Sequence, residues 1–353
     1  MTHFADLVGH GGVRDLLESE IEMPAQAYLF VGPSNVGKAS IARRFAAALV
    51  RGEDAESVRR AKSGSHPDLI LVAPEGRTSI TVDQARAVVS AAVKSPLEAE
   101  RKVFLFEEAS MLNDGAANAL LKTIEEPTPS TTFVLVADSE DDLPLTIASR
   151  CRTIVFGRVP EAEIAAGLVE QGVEPDMAAQ VARISGGRPG LAVALAREPR
   201  VASFRDTWLS LPGRLTDHPG DAYRLAAEVM EATEPLLAAV KKRQEAEIAR
   251  DHPEGDAPKL VLDRQQRELG RASDALYVTG LELLATFYRD TAGAQLGARI
   301  QNTDISVAAL TRVTAQTALR NVTRVFAAID ALRANQRPQL ALAALFLDLG
   351  TDA

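Results

Sequence analysis

Gly32-Pro33-Ser34-Asn35-Val36-Gly37-Lys38-Ala39-Ser40 follows directly on the apolar run Ala27 to Val31, and this order of strand, glycine loop and lysine suits the cradling of phosphate. Such a loop closes backbone N–H groups around phosphate oxygens, its lysine reaches the terminal phosphates, and the hydroxyl after the lysine holds Mg²⁺. Gly32, Gly37 and Lys38 match that chemistry, but Ala39 stands where the hydroxyl belongs. Ser40 comes one residue late, about 100° further round a helix of 3.6 residues per turn, and is expected to point away from the metal. Nucleotide binding is therefore expected, with hydrolysis compromised.

A second chemical site is Val103-Phe104-Leu105-Phe106-Glu107-Glu108, an apolar strand ending in two acids. In a working ATPase of this kind an aspartate at the strand end supports Mg²⁺ and a following glutamate polarises the attacking water. Here Glu107 occupies the aspartate position and Glu108 that of the general base. Both could equally be solvated acids at a strand end.

The elements that must position these groups are legible in the first 156 residues. Five short apolar runs read as strands: 27–31, 69–72, 103–106, 132–137 and 153–156. Helical stretches lie between them, so the expected fold is α/β, with a five-stranded parallel sheet covered on both faces. Ile41, Phe45, Ala48 and Leu49 form one helical stripe. Thr81 and Gln84 have capping-box spacing ahead of a second helix, and a third, around 116–124, must stop before Pro127. Pro160 begins a different texture, with helices expected at 161–170 and 176–184, a breaker at 185–190 and a further helix after it. From about Val201 the chain reads as nearly all helix, apart from the Pro- and Gly-containing charged loop 251–258.

The 353 residues suffice for two or three domains, expected at 1–157, 158–200 and 201–353. The composition is 46% hydrophobic and 25% charged, which excludes wholesale disorder. No apolar run approaches the roughly 20 residues of a membrane span, and the N-terminal residues lack a signal-peptide pattern. A cytosolic location without membrane attachment is expected. A net charge of -9 argues against broad adhesion to DNA. The single cysteine, Cys151, permits neither an internal disulfide nor a zinc cluster and reads as a packing residue.

Asn118-Ala119-Leu120-Leu121-Lys122-Thr123-Ile124-Glu125-Glu126-Pro127, followed by Ser149-Arg150-Cys151-Arg152, together with the loop and the paired acids, resembles the clamp-loader subunits of bacterial DNA polymerase III in the AAA+ superfamily. Within that family the likeness is to the delta-prime group more than to the gamma/tau motors. It covers the first 200 residues closely and the remainder loosely, where Leu332 to Leu342 resembles the turn and helix that close the family's collar. The resemblance implies an AAA+ domain, a small helical lid and an all-α collar. It implies a stator that helps load the sliding clamp on primed DNA as part of the polymerase holoenzyme, with gamma/tau and delta as partners and the clamp and DNA met through the complex.

It further implies that Arg150 is an arginine finger reaching ATP on a neighbouring subunit, and that Arg188 is the lid arginine that senses nucleotide, although a turn-forming role beside Pro189 and Gly190 suits Arg188 equally. Asp138-Ser139 replaces the hydroxyl pair typical of motors. Family members commonly carry four zinc cysteines between the first helix and the second strand, yet 52–68 holds none here. ATP or ADP is expected to bind weakly or vestigially, and zinc not at all. The alternative is a gamma-type ATPase whose metal site tolerates Ala39 and Glu107; those residues, Asp138 and the lack of a long C-terminal extension weigh against it.

The missing cysteines generate a first prediction. Elemental analysis of the purified protein should find no stoichiometric zinc, and a chelator should leave its thermal midpoint unchanged, unlike that of a zinc-dependent fold.

Overall fold

In the computed structural model, residues 3–4, 7–33, 35–50, 58, 60–61, 64–74, 79–251, 255, 259–298, 300, 302, 305–334 and 336–352 are described. Two compact units emerge, one formed by Met1–Glu163 with Gly187–Gly190 and Asp251–Asp256, the other by Ile164–Gly186, Leu191–Arg250 and Ala257–Ala353.

The first unit opens with α1 (Gly11–Glu20), β1 (Ala27–Val31), α2 (Lys38–Val50) and β2 (Leu69–Val72). It continues through α3 (Val82–Ala92), β3 (Lys102–Phe106), α4 (Asp114–Glu125), β4 (Thr131–Val136), the short α5 (Leu145–Ala148) and β5 (Arg152–Val155). All five strands are parallel, in the order β2-β3-β4-β1-β5. The glycine loop follows β1, the strand between β4 and β5.

Alternation along each strand sends successive side chains to opposite faces. Leu29, Phe104, Phe106, Phe133 and Leu135 join α3 and α4 in one core, with the rings of Phe104 and Phe133 stacked at 5.3 Å. Tyr28, Phe30, Val103, Leu105 and Val134 join α2 in the other. Since both faces are covered, β1, β3 and β4 are buried along their whole length. A run without polar alternation is what such a strand requires.

Three expected strands shift by one residue: β3 starts at Lys102, β4 covers Thr131–Val136 and β5 covers Arg152–Val155. Lys102 and Thr131 are polar residues at the strand entrances, outside the apolar runs. Lys102 donates from Nζ to three carbonyls, those of Ala91, Lys94 and Ser95, and Thr131 Oγ1 donates to Ala92. The capping box on α3 is present as expected, with Thr81 accepting from the Gln84 N–H and Gln84 accepting in return.

The second unit is helical. It contains α6 (Glu161–Glu170) from Ile164 onward, α7 (Pro175–Ser185) and most of α8 (Pro189–Leu195). The expected breaker is shorter than 185–190, because Pro189 opens α8. Proline at a first helical position loses no hydrogen bond that would otherwise form. Then follow α9 (Val201–Ser210), α10 (Pro219–Asp251), α11 (Lys259–Leu296), α12 (Val307–Leu310), α13 (Ala315–Arg333) and α14 (Pro338–Gly350). Trp208 on α9 is fully buried against α11, where a Cβ on Gly280 would sit 2.0 Å from the indole. These long packed helices occupy the stretch expected to be all helix. The expected loop 251–258 and the Asn335 turn fall largely outside the described residues.

Among the described residues no helix is long and apolar enough to cross a membrane, and no group of three or more His, Cys, Asp or Glu could hold a metal ion. Most of the interval without cysteines is also outside the described residues. His66 and Asp68 within it are buried and structural. His66 Nδ1 accepts from the Asp68 N–H, and the Asp68 carboxylate accepts from Leu97, Glu98 and Ala99 at 2.7, 2.8 and 2.9 Å, tying the approach to β3 onto the entry to β2.

Burial alone would raise the Asp68 pKa, but the three N–H donors outweigh it and hold the carboxyl below its ordinary value. A depressed folded-state pKa adds stability above the unfolded-state value, and that stability is lost as pH falls through the folded one. Asp68→Asn should therefore cost about 1–3 kcal/mol at pH 7. In urea titrations the gap between variant and parent should narrow as pH drops from neutrality into the acid range.

Candidate functional site

The phosphate loop hangs from the C-terminal end of β1. The strand ladder continues past its last residue, with Phe156 N–H donating to the Val31 carbonyl at 2.7 Å and Gly32 N–H donating to the Asp138 carbonyl at 3.1 Å. Gly32 has φ 143°, and a Cβ there would lie 2.1 Å from the Phe156 carbonyl oxygen. Gly37 has φ 106° with open space around it, so its requirement is conformational and not steric. His10, at the N-cap of α1, bonds through Nε2 to the Val36 carbonyl at 2.8 Å, with its ring edge-on to Phe156. Burial lowers its pKa, which favours a neutral ring with the proton on Nε2.

Lys38 opens α2 and is buried. Its ammonium donates to the carbonyls of Gly32 and Pro33 at 2.6 and 2.8 Å and to Asp138 Oδ1 at 2.9 Å. Ala39 follows it, and Ser40 lies exposed on the helix. Glu107, just beyond β3, is ion-paired through Oε1 to Arg43 Nε of α2 at 2.6 Å, with its side chain only 8% exposed. It is not one of the solvated acids that a bare strand end would carry. Glu108 is buried next to it and begins the short 3₁₀ turn Ala109–Met111. Arg188 is buried too, immediately after the left-handed pair Gly186 and Gly187 (φ 56° and 78°).

Arg150 belongs to another place. Register pairs Arg152 with Tyr28 and Val155 with Val31, so Arg150, two residues before Arg152, sits beyond the N-terminal end of β5. The phosphate loop starts beyond the C-terminal end of β1. Four residues separate Tyr28 from Gly32, about 13 Å at 3.3 Å per residue. Arg150 is ion-paired with Glu125 at the end of α4, and its Nη1 donates to the Thr146 carbonyl at 2.7 Å. Arg152 is held differently. It pairs at 2.7 Å with Glu20, whose other oxygen accepts from the buried Tyr28 hydroxyl at 2.8 Å. The tyrosine pKa is raised by burial first and by this carboxylate second.

Ala25 to Ala27, Ile124 to Glu126 and Ser149 to Arg152 line a groove of 630 Å³ at this edge. Cys151 lies in its wall, partly buried, with its thiol pKa pushed up to about 12 by desolvation. A thiol so far from ionisation is a packing group and not a nucleophile.

Residues 13–160 match the family model described as DNA polymerase III, delta subunit. The chain is 35% identical to DNA polymerase III subunit delta' of Bacillus subtilis over 220 residues, 60% of this chain and 66% of that one. It is 38% identical to subunit delta' of Pseudomonas aeruginosa over 136 residues, 36% and 42% of the two chains. The chain resembles the delta-prime subunits of DNA polymerase III. The gamma/tau subunits are relatives, with 33% identity to Bacillus subtilis subunit tau over 44% of this chain and 29% of that one. Among solved structures, a gamma subunit-related protein of Thermotoga maritima superposes over 96% of this chain and 99% of its own, with TM-score 0.47 and 16% identity. The match spans less than two thirds of either delta-prime relative.

Sequence reasoning located the family's motifs but missed the partners that occupy them: Asp138 on Lys38, Arg43 on Glu107, Glu125 on Arg150 and Glu20 on Arg152. These contacts join residues 100, 64, 25 and 132 positions apart, and no local spacing encodes them.

The close approach at Gly32 generates a prediction. Gly32→Ala should lower stability by at least about 2 kcal/mol, since the added methyl meets backbone at an unfavourable φ. Gly37→Ala, with free space, should cost only the conformational penalty. Parallel thermal melts of the two variants would separate these contributions.

Proposed function

We propose that the chain is a stator of the DNA polymerase III clamp loader, lending Arg150 as an arginine finger to ATP held by a neighbouring gamma/tau subunit while hydrolysing little or none itself. The observation that carries this reading is the placement of Arg150 and the phosphate loop at opposite edges of one parallel sheet. An arginine there has no access to phosphate in its own loop, so any phosphate it serves belongs to another subunit. A planar, always-charged guanidinium suits charge developing on a transferring phosphoryl group. Delta is the other expected partner, and the sliding clamp and primed DNA are met through the complex. In this reading 1–157 is the nucleotide-binding-like part, 158–200 the lid and 201–353 the collar.

In its own loop, Gly32, Gly37, Lys38, Ser40, Glu107 and Arg188 would surround an ATP or ADP bound weakly, and Glu108 is a vestigial base. The motor reading is disfavoured by Ala39 and by the engagement of Lys38 and Glu107 with Asp138 and Arg43.

The test is steady-state ATPase and clamp loading in the reconstituted assembly. The isolated chain should show no Mg²⁺-dependent turnover above background; about one per second or more, an ordinary enzymatic rate, would establish the motor reading instead. Arg150→Ala should assemble normally by size exclusion and lower the DNA- and clamp-stimulated rate. A finger is worth about 10³ to 10⁵ at one site, but other sites keep their own fingers, so the loss should be partial. Arg150→Lys should rescue poorly, since it lacks the planar fork. Unchanged rates in an intact assembly would remove the trans-acting role.

A further inference from the structure

A lysine ammonium has three protons to donate, and in Lys38 all three have acceptors within the protein: the Gly32 and Pro33 carbonyls and Asp138 Oδ1. Two of these belong to the loop itself and would accompany it in any phosphate-binding protein. The third is a full negative charge delivered from beyond a different strand, two residues past the end of β4. We infer that Asp138 sets the nucleotide affinity of this chain, its carboxylate taking the place on Lys38 that a phosphate oxygen would need.

The two occupants exclude each other for two reasons. A phosphate seeking Lys38 must displace at least one existing acceptor, and the carboxylate is the only one that also repels it as a like charge. The Lys38 side chain is 6% exposed whereas that of Asp138 is 60% exposed, so the carboxylate lies on the solvent side of the pair, from which a nucleotide would arrive. Asp138 is also held in register. Its N–H and that of Ser139 both donate to Asp142 Oδ2, at 3.0 and 2.9 Å, which fixes the turn carrying it. Glu107 contributes no comparable block, since its charge is already matched by Arg43. Loss of the magnesium hydroxyl at Ala39 would impair catalysis while leaving phosphate contacts possible. The Asp138 pair acts earlier, on binding itself. It concerns the isolated chain and stands independently of the finger reading.

The experiment uses the full-length protein and three probes: ATP, ADP and inorganic tripolyphosphate, titrated calorimetrically without Mg²⁺ so that neither hydrolysis nor the metal site enters. Asp138→Asn keeps the side-chain volume and removes the charge. It should tighten all three probes by about tenfold or more, the scale of one relieved like-charge contact. Asp138→Ala should do the same, and it replaces the asparagine variant if that one fails to fold. Adding Lys38→Ala to either background should abolish the gain, which a nonspecific loosening of the loop would not. Affinity unchanged within about twofold in a folded Asp138 variant, or a gain that survives loss of Lys38, would overturn the inference. So would micromolar binding of tripolyphosphate by the unaltered chain. A failure here would leave the Arg150 assay untouched, because that assay reads hydrolysis on other subunits.

Discussion

Strand β1 is hydrogen-bonded to β4 on one side and to β5 on the other, all running the same way, and each chemical residue of the first unit is placed by one end or the other of that arrangement. Parallel pairing gives a sheet two chemically different edges. At the C-terminal edge the chain leaves β1 as the phosphate loop, leaves β3 as Glu107 and leaves β4 as Asp138. At the N-terminal edge, Arg150 and Arg152 enter β5 beside Tyr28. Strands β1, β3 and β4 are short and buried on both faces, so none of them can slide without pulling an aromatic side chain out of its core. A one-residue slip would exchange the two cores altogether. The separation of Arg150 from the loop is thus as firm as the register, and the register rests on Leu29, Phe104, Phe133 and their neighbours.

Within that frame, formal charges are matched locally, but at different depths. Arg152 meets a Glu20 that is only 10% exposed and further held by Tyr28. Removing Arg152 would leave the Glu20 charge buried with only the Tyr28 hydroxyl beside it, which is the costly way to break a pair. Arg150 and Glu125 are each more than a third exposed, where an ion pair contributes about 0–1 kcal/mol. Two arginines separated by one residue therefore differ in freedom. Arg152 is part of the fold, while Arg150 is held weakly enough for a stronger anion to compete for it. The planar fork favours such an anion when it is a phosphate, with more oxygens and more charge than a carboxylate.

How much of this was readable beforehand follows from the range of the interactions. Strands and helices of the first unit follow from short apolar runs, a capping box at Thr81 and Gln84, and prolines that stop helices, all local signals. The errors in strand ends come from Lys102 and Thr131, polar residues whose side chains satisfy carbonyls at a strand entrance and so join the sheet against their usual preference. The motif residues were legible because their spacing along the chain is the chemistry of the loop. Their partners were not, because Asp138, Arg43, Glu125 and Glu20 are brought in by the fold from strands and helices elsewhere. The turn at 186–190 lies between these cases: its glycines announced a break, but only the backbone shows that Pro189 already belongs to the next helix.

The glycines of the loop after β1 have a physical reason that does not involve nucleotide. Gly32 is required because the Phe156 carbonyl passes where a Cβ would be, and that carbonyl follows from β5 pairing with β1. Any residue but glycine at this point would disturb the strand that leads on from Arg150. Gly37 provides a positive φ at the turn into α2, whose Phe45 packs against Tyr28 and Phe30. Gly32 is therefore demanded by the packing of this sheet, and Gly37 by its backbone conformation, even if no phosphate ever binds. Lys38 is demanded as well, as the cation that satisfies two loop carbonyls and Asp138. A glycine-lysine signature can thus be required by the fold alone, and the informative residues are those that the fold does not demand. Here they are Ala39, which stands at the hydroxyl position, and Asp138, whose carboxylate holds the lysine.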